Sequence, residues 1–257
     1  MSWSAAQYSK FEVERNRPIL DLLAQITRTD VSTAADLGCG PGNSTQLLQR
    51  RFPAARMVGI DSAPDMIAAA RTRLPGLDFE EVDIAGWAHP GHFDLILANA
   101  SLQWVPDHRN LFPRLLRRLG SGGVLAVQMP DNLDEPAHRL MRTIAADGPW
   151  AAKLAAAAAA RAERQSAGWY YGLLSGAAET VDVWQTTYMH ALAGGADAVV
   201  EWFKGTGLRP FLGPLDDAER QMFLGRYRAA IAEAYPPLPD GAILLPFPRL
   251  FILATVR

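Results

Sequence analysis

A single cysteine, Cys39, occurs among the 257 residues. That excludes an internal disulfide, and a lone thiol fits a reducing compartment. Basic excess is absent too: 25 Lys and Arg face 27 Asp and Glu, for a formal net charge of -2. This argues against nucleic-acid binding through bulk positive charge. No uncharged apolar run reaches the roughly 20 residues of a membrane span. The opening MSWSAAQYSKFEVERNR has no apolar stretch of the secretory-signal kind, so a cytoplasmic protein is expected. The histidines are scattered, with no Cys/His or Asp/His ligand spacing, and no metal is expected. What remains is an ordinary globular composition, 49% hydrophobic and 20% charged, in a chain long enough for a sizeable core.

The first half alternates short apolar runs with helical patterns. Strands are expected at Ala34–Cys39, Arg56–Asp61, Leu77–Ile84, Phe93–Ala98 and Gly123–Met129, the last after a turn at Gly120–Gly123. Helices are expected at Ser44–Arg51, Pro64–Leu74 and His108–Leu119. This rhythm predicts an α/β fold with an open parallel sheet covered on both faces. After Pro130 it breaks into mostly helical pattern, with an alanine-rich stretch at Ala155–Ala160 that reads as a surface helix. Strands are expected again at Thr180–Leu192 and Phe247–Val256, and helices at Ala196–Thr206 and Asp216–Ala234. The organisation predicted is one domain. It has an N-terminal helical lid (1–30), a binding core (31–130), helical cap insertions (131–178 and 194–240) and closing strands (179–192 and 247–256).

The stretch AADLGCGPGNST carries Gly38, Gly40 and Gly42 at the end of the first strand. A P-loop would follow its last glycine with a lysine; here Asn43, Ser44 and Thr45 follow. Asp36 sits inside the strand just before the turn, a poor neighbour for a pyrophosphate and a good one for a cation. Glycines let a ligand approach the backbone closely. The second strand ends in Asp61, placed to accept from both hydroxyls of a ribose. The third predicted strand ends in Val82-Asp83-Ile84, a polar acceptor between apolar faces, which suits an adenine. A cationic end, a ribose and an adenine together describe S-adenosylmethionine.

DLGCGPGN, GIDSAPDMI, EVDI and NASLQWVPD resemble the successive motifs of class I S-adenosylmethionine-dependent methyltransferases, with a Rossmann-like doubly wound sheet. ADLGCGPGNSTQLL, NASLQWVPDH, GGVLAVQMPDN, TGLRPFL and FPRLFI are similar, more narrowly, to the family that methylates trans-aconitate. The alanine-rich stretch at Asp147–Ser166 departs from that pattern. The resemblance implies cofactor contacts at Asp36, Gly38, Cys39, Gly40, Asn43, Asp61, Ser62, Met66, Asp83, Ile84, Asn99 and Ala100. It implies a lid in which Tyr8 covers the cofactor and an arginine, Arg15 or Arg17, meets its methionyl carboxylate, with Phe11 on the same segment.

On the acceptor side, Gln103 and Trp104 follow the fourth strand and are expected to position the substrate. Tyr170, Tyr171, Tyr188, His190, Trp202, Arg209 and Arg249 are expected in or beside the cap. Of these, Tyr170, Tyr171, Trp202, Arg209 and Arg249 are candidate substrate contacts, the arginines because a guanidinium holds a planar carboxylate by two parallel hydrogen bonds. Each has an ordinary structural role as its rival: core packing for the aromatics, ion pairs for the arginines. Cys39 reads equally as a small loop filler, and His108 as the start of a helix with no chemical part.

The expected reaction is metal-free transfer of a methyl group to a carboxylate of trans-aconitate, a small tricarboxylate, giving a monomethyl ester and S-adenosylhomocysteine. A carboxylate is already ionised at neutral pH, so no general base is required. The alternatives are another small carboxylate or phenolic acceptor, and a sensor that binds the cofactor without turnover. The partners expected are a small molecule, no nucleic acid and no membrane, for a monomer or homodimer.

Overall fold

The computed structural model describes residues 12–159 and 165–257. They divide into two compact units. The first holds 12–130, 165–186 and 249–257, and the second 131–159 and 187–248.

In the first unit, helix α1 (Glu12–Ala24) precedes the alternating core β1 (Thr33–Leu37), α2 (Asn43–Arg51), β2 (Arg56–Asp61), α3 (Pro64–Arg73), β3 (Asp78–Glu81), β4 (Phe93–Asn99), α4 (His108–Leu116) and β5 (Leu119–Pro130). A single-turn 3₁₀ helix (Leu102–Trp104) lies between β4 and α4. Helix α7 (Ala167–Leu174) and the parts of strands β6 (Thr180–Leu192) and β7 (Ile243–Thr255) that fall in 180–186 and 249–255 complete the unit's elements. The seven strands are ordered β3-β2-β1-β4-β5-β7-β6. The first five pair in parallel and β7 runs antiparallel to β5. Strand order reverses beside β1, whose carboxyl end is therefore the switch point where such sheets bind ligands.

Side chains alternate across the sheet. One face turns Ile96, Ala98, Val127, Leu250 and Ile252 onto Phe112 and Leu115 of α4 and Tyr170 and Leu174 of α7. Full burial of each large side chain contributes about 1.5–3 kcal/mol. Helix α1 lies against α2 and β5.

Two local expectations are corrected. Strand β3 stops at Glu81, because Asp83 Oδ1 accepts the Ala85 N–H at 2.8 Å and turns the chain away. The glycines of Gly120–Gly123 form no turn before a strand. They lie within β5, whose register jumps from Phe93↔Leu119 to Leu95↔Val124, leaving them opposite Asp94 alone. A Cβ on Gly123 would meet the Gly120 carbonyl oxygen at 2.7 Å, so only glycine closes this bulge.

The second unit is a helical cluster of α5 (Pro136–Ala146), α6 (Ala151–Ala159), α8 (Gly195–Lys204), α9 (Arg209–Leu212) and α10 (Asp217–Ala234). Helix α10 opens with a capping box. Asp216 accepts the Glu219 N–H, and the Glu219 carboxylate accepts the Asp216 N–H. The alanine-rich helix α6 buries Leu154 and carries Lys153, which pairs with Glu219 at 2.6 Å.

Candidate functional site

The glycine turn after β1 is held from three sides. The N–H groups of Gly38 and Cys39 both donate to the Ile60 carbonyl, at 2.7 and 2.9 Å. Asp61 accepts the Gly40 N–H on Oδ2 at 3.0 Å and the Ala63 N–H on Oδ1 at 2.9 Å. Ser101 Oγ, from the loop after β4, donates to the Leu37 carbonyl at 2.6 Å. Gly38, Gly40 and Gly42 all take positive φ, at 76°, 53° and 86°. A Cβ on Gly38 would stand 2.2 Å from Ser101 Cβ, whereas one on Gly40 would meet nothing within 4 Å. The turn is thus jammed against its own support at Gly38 and open to a ligand at Gly40.

Asp36 anchors the turn to the helix that follows. Its Oδ2 accepts the hydroxyls of Ser44 and Thr45, both at 2.7 Å, in the first turn of α2. Its Oδ1 is buried and has no partner. Burial pushes the Asp36 carboxyl up to about 6. The two hydroxyls oppose that rise, and the Asp61 charge adds to it. Burial also raises Asp61, against the backbone N–H groups it accepts.

The same face of the sheet continues this polar set. Asp36 pairs with Leu97, Asn99 with Gln128 and Pro130 with Arg249, so Asp36, Asn99, Gln128 and Arg249 project from one face. All four are buried. Arg249 Nη1 donates to Gln128 Oε1 at 2.9 Å, and the Oδ1 of Asn99 has no partner. Ala100 then takes φ 51°, rare for a residue with a Cβ, and donates its N–H to the Gln128 carbonyl at 2.8 Å. Strain of this kind collects at functional sites. Gln103 Nε2 donates to the Ala100 carbonyl at 2.6 Å, leaving its buried Oε1 without a partner.

The structure therefore gathers Asp36, Gly38, Gly40, Asn43, Asp61, Asn99, Ala100, Gln103 and Arg249 at the carboxyl edge of β1, β2, β4 and β5. Met66 is buried in the first turn of α3, Ile84 is buried, and Ser62 and Asp83 are exposed in the loops after β2 and β3. Cys39 is buried among Ile67, Ala70, Leu74 and Phe79, and burial pushes its thiol up, as befits a filler. Trp104 is 49% exposed on the 3₁₀ turn.

Tyr170 lies apart from this set. Its ring is fully buried against Phe112, and its hydroxyl meets His108 Nδ1 at 2.6 Å. His108 Nε2 faces the Leu102 carbonyl at 2.9 Å; a carbonyl only accepts, so Nε2 donates. Tyr170 is thus a core residue on the sheet face opposite Asp36 and Asn99. Tyr171 faces outward on α7, beside a shallow depression lined also by Val181, Asp182 and Val183. Trp202, Arg209, Tyr188 and His190 belong to the second unit. Trp202 is buried there against His190, ring centroids 4.6 Å apart, and Arg209 opens the short helix α9. Tyr8 and Phe11 lie outside the described residues; Arg15 is half-buried and Arg17 exposed on α1.

Sequence reasoning missed Ser44, Thr45, Ser101, Gln128 and Asn16, whose Oδ1 accepts from Asn43 Nδ2 at 2.9 Å. Gln128 had a signal: one amide in an otherwise apolar strand. Among the described residues, no group of three or more His, Cys, Asp or Glu could hold a metal ion, and no helix is long and apolar enough to cross a membrane.

A glycine turn at the switch point of this sheet, with Asp36 one residue before the end of β1 and Asp61 at the end of β2, defines a Rossmann-like class I methyltransferase fold. Comparison agrees. The methyltransferase domain family matches residues 34–123. The YcgJ protein of Bacillus subtilis superposes with a TM-score of 0.60 at 14% identity, over 94% of this chain and 99% of that one. Haemonchus contortus phosphoethanolamine N-methyltransferase 2, solved with S-adenosyl-L-methionine, superposes with a TM-score of 0.55 at 14% identity, over 94% of this chain and 53% of that one. The chain is 57% identical to the trans-aconitate 2-methyltransferase of Methylobacterium nodulans, over 98% of this chain and 97% of that one. It is 54% identical to the enzyme of that name from Yersinia pestis, with the same coverage of both chains. The chain belongs to the trans-aconitate 2-methyltransferase family.

Proposed function

We propose that this protein transfers a methyl group from S-adenosylmethionine to a carboxylate of trans-aconitate, forming its monomethyl ester. The observation that carries the reading is the polar edge of β1, β2 and β4, where Asp36 Oδ1 and Asn99 Oδ1 are buried acceptors without partners. It stands in a chain more than half identical to enzymes of that name.

The residues present fit the cofactor. The unpartnered Asp36 Oδ1 suits a cationic group, and Asp61 suits the ribose hydroxyls. Gly40 gives backbone access, and Met66 and Ile84 offer apolar surface for the adenine. When bound, S-adenosylmethionine would supply a methyl group on a positively charged sulfur, the carbon–sulfur bond breaking as the ester carbon–oxygen bond forms and S-adenosylhomocysteine leaving as a neutral thioether.

The chain's part is to hold and orient. Asp36 is fixed by two hydroxyls before any ligand arrives, so it offers an oriented negative charge without reorganisation. Gln103 is pinned to the Ala100 carbonyl and keeps its Oε1 turned away from that bond. Arg249, buried on the same face as Asn99 and Gln128, is the cation proposed to hold an acceptor carboxylate that does not react. The acceptor is ionised at neutral pH, so no side chain needs to remove a proton. Positioning alone supplies a large acceleration, effective molarities reaching roughly 10⁵ M or more. The lone, buried Cys39 accords with a cytoplasmic setting, and the acceptor is a freely diffusing small molecule.

The test offers methyl-labelled S-adenosylmethionine with trans-aconitate, cis-aconitate, citrate, isocitrate and a phenol. The expected result is label in a base-labile ester, with trans-aconitate preferred and the preference weakened by Arg249→Ala. Label in no di- or tricarboxylate overturns the reading.

A further inference from the structure

We infer that Gln128 is a ligand-binding residue of this site: its side-chain amide and the guanidinium of Arg249 together form a receptor for a carboxylate. The inference rests on the reading above that the site handles carboxylates.

Gln128 is fully buried in β5, flanked by Val124 to Val127 and Met129, and it faces the same side as Asp36 and Asn99. Its Oε1 receives the 2.9 Å hydrogen bond from Arg249 Nη1. A guanidinium carries only donors, so the atom facing it must be the amide oxygen. That fixes the amide. The other end, Nε2, is then a donor, and it is buried without a partner.

Buried amide donors are almost always satisfied in folded proteins, and an orphan calls for an explanation. A ligand that completes this one must bring an acceptor. Beside a buried guanidinium the fitting acceptor is anionic, and a carboxylate has two oxygens to span two neighbouring donors. The placement agrees. Gln128 sits directly beside Asn99, and its main-chain carbonyl holds the strained Ala100 through a 2.8 Å bond. The Ala100 carbonyl in turn holds Gln103. The receptor and the acceptor-positioning loop are therefore parts of one hydrogen-bonded set.

Two carboxylates could fill it: one on the acceptor, or the amino-acid carboxylate of the cofactor. A purely structural Gln128, serving only to orient Arg249, is the competing account. Gln128→Glu separates them, since it keeps an acceptor for Arg249, removes the donor and adds a like charge for an incoming carboxylate. The measurements on folded protein are the acceptor KM and the Kd values of S-adenosylhomocysteine and of methylthioadenosine, which lacks the amino-acid portion. A rise of about tenfold or more in acceptor KM, with both Kd values unchanged, supports the receptor and assigns it to the acceptor. A similar weakening of S-adenosylhomocysteine alone supports it and assigns it to the cofactor. If all three readouts stay within about twofold, or if methylthioadenosine weakens as much as the rest, the inference is overturned. Should Gln128→Glu fail to fold, Gln128→Met keeps the volume, loses the donor and is read against the same three values. If the wild type esterifies no carboxylate, the functional reading fails while the two nucleoside affinities still test Gln128.

Discussion

Replacing Gly38 by alanine should damage the site by an amount set by two separable causes. The first is backbone conformation. A φ of 76° suits glycine, and a Cβ there costs about 1–2 kcal/mol. The second is collision with Ser101 Cβ at 2.2 Å, which forces the β1 turn and the post-β4 loop apart, typically about 1–3 kcal/mol of overpacking. Together they give about 2–5 kcal/mol. The natural assay is native-state hydrogen exchange at the amides of positions 38 and 39, both bonded to the Ile60 carbonyl. Their opening free energy should fall by that amount. Pairing Gly38→Ala with Ser101→Gly removes the collision and leaves the backbone cost. Ser101→Gly alone loses only the bond to the Leu37 carbonyl, about 0.5–1.5 kcal/mol. The double variant should therefore recover at least about 1 kcal/mol relative to additivity. A Gly38→Ala protein within about 0.5 kcal/mol of wild type, or a cycle with no coupling, would refute the reasoning.

Burial raises the Asp36 carboxyl to about 6, so the native state holds its proton more tightly than the unfolded chain does. Its contribution to stability is complete below about pH 4 and is lost as the pH rises through about 6, a loss of about 3 kcal/mol. Asp36→Asn should flatten denaturation midpoints across that window, with Asp61 leaving a residual slope of the same sign. Affinity for S-adenosylmethionine should move oppositely, rising from pH 5 to 7 in the wild type and much less in Asp36→Asn, as calorimetry would show. Tyr170→Phe keeps the buried ring and removes the hydroxyl bonded to His108, which should lower stability by about 1 kcal/mol in urea unfolding and leave the acceptor KM unchanged. A raised KM with unchanged stability would return Tyr170 to the binding surface.

The parts legible in the sequence were those where one physical signal had no rival. The RMVGID run is apolar between a charged start and an acid, and β2 spans Arg56–Asp61 as expected. Three glycines after a buried acid could only be a turn. Elsewhere two causes share one signal. The apolar alternation of Val82-Asp83-Ile84 extends a strand on paper, but the Asp83 carboxylate bonds its own backbone two residues on and ends it. In AGWYYGLL the two tyrosines are chemically alike, and only helix phase against α4 buries Tyr170 and exposes Tyr171. Gln128 went unread because an amide in an apolar strand declares itself only once its neighbours, Asn99 and Arg249, are known, and they lie far from it in sequence.

Strand β7 follows β6 along the chain but lies between β5 and β6 in the sheet. Production order and spatial order are therefore inverted. During synthesis β5 and β6 both emerge before the strand that joins them, each with an open hydrogen-bonding edge. The pairing of Val124–Pro130 with Arg249–Thr255 closes a contact across more than a hundred residues, the slow kind in a folding reaction. Until it forms, Gln128 has no Arg249, and the newborn chain carries a complete glycine turn beside a half-built receptor. A nascent chain stalled short of β7 would present open strand edges to any chaperone that reads them.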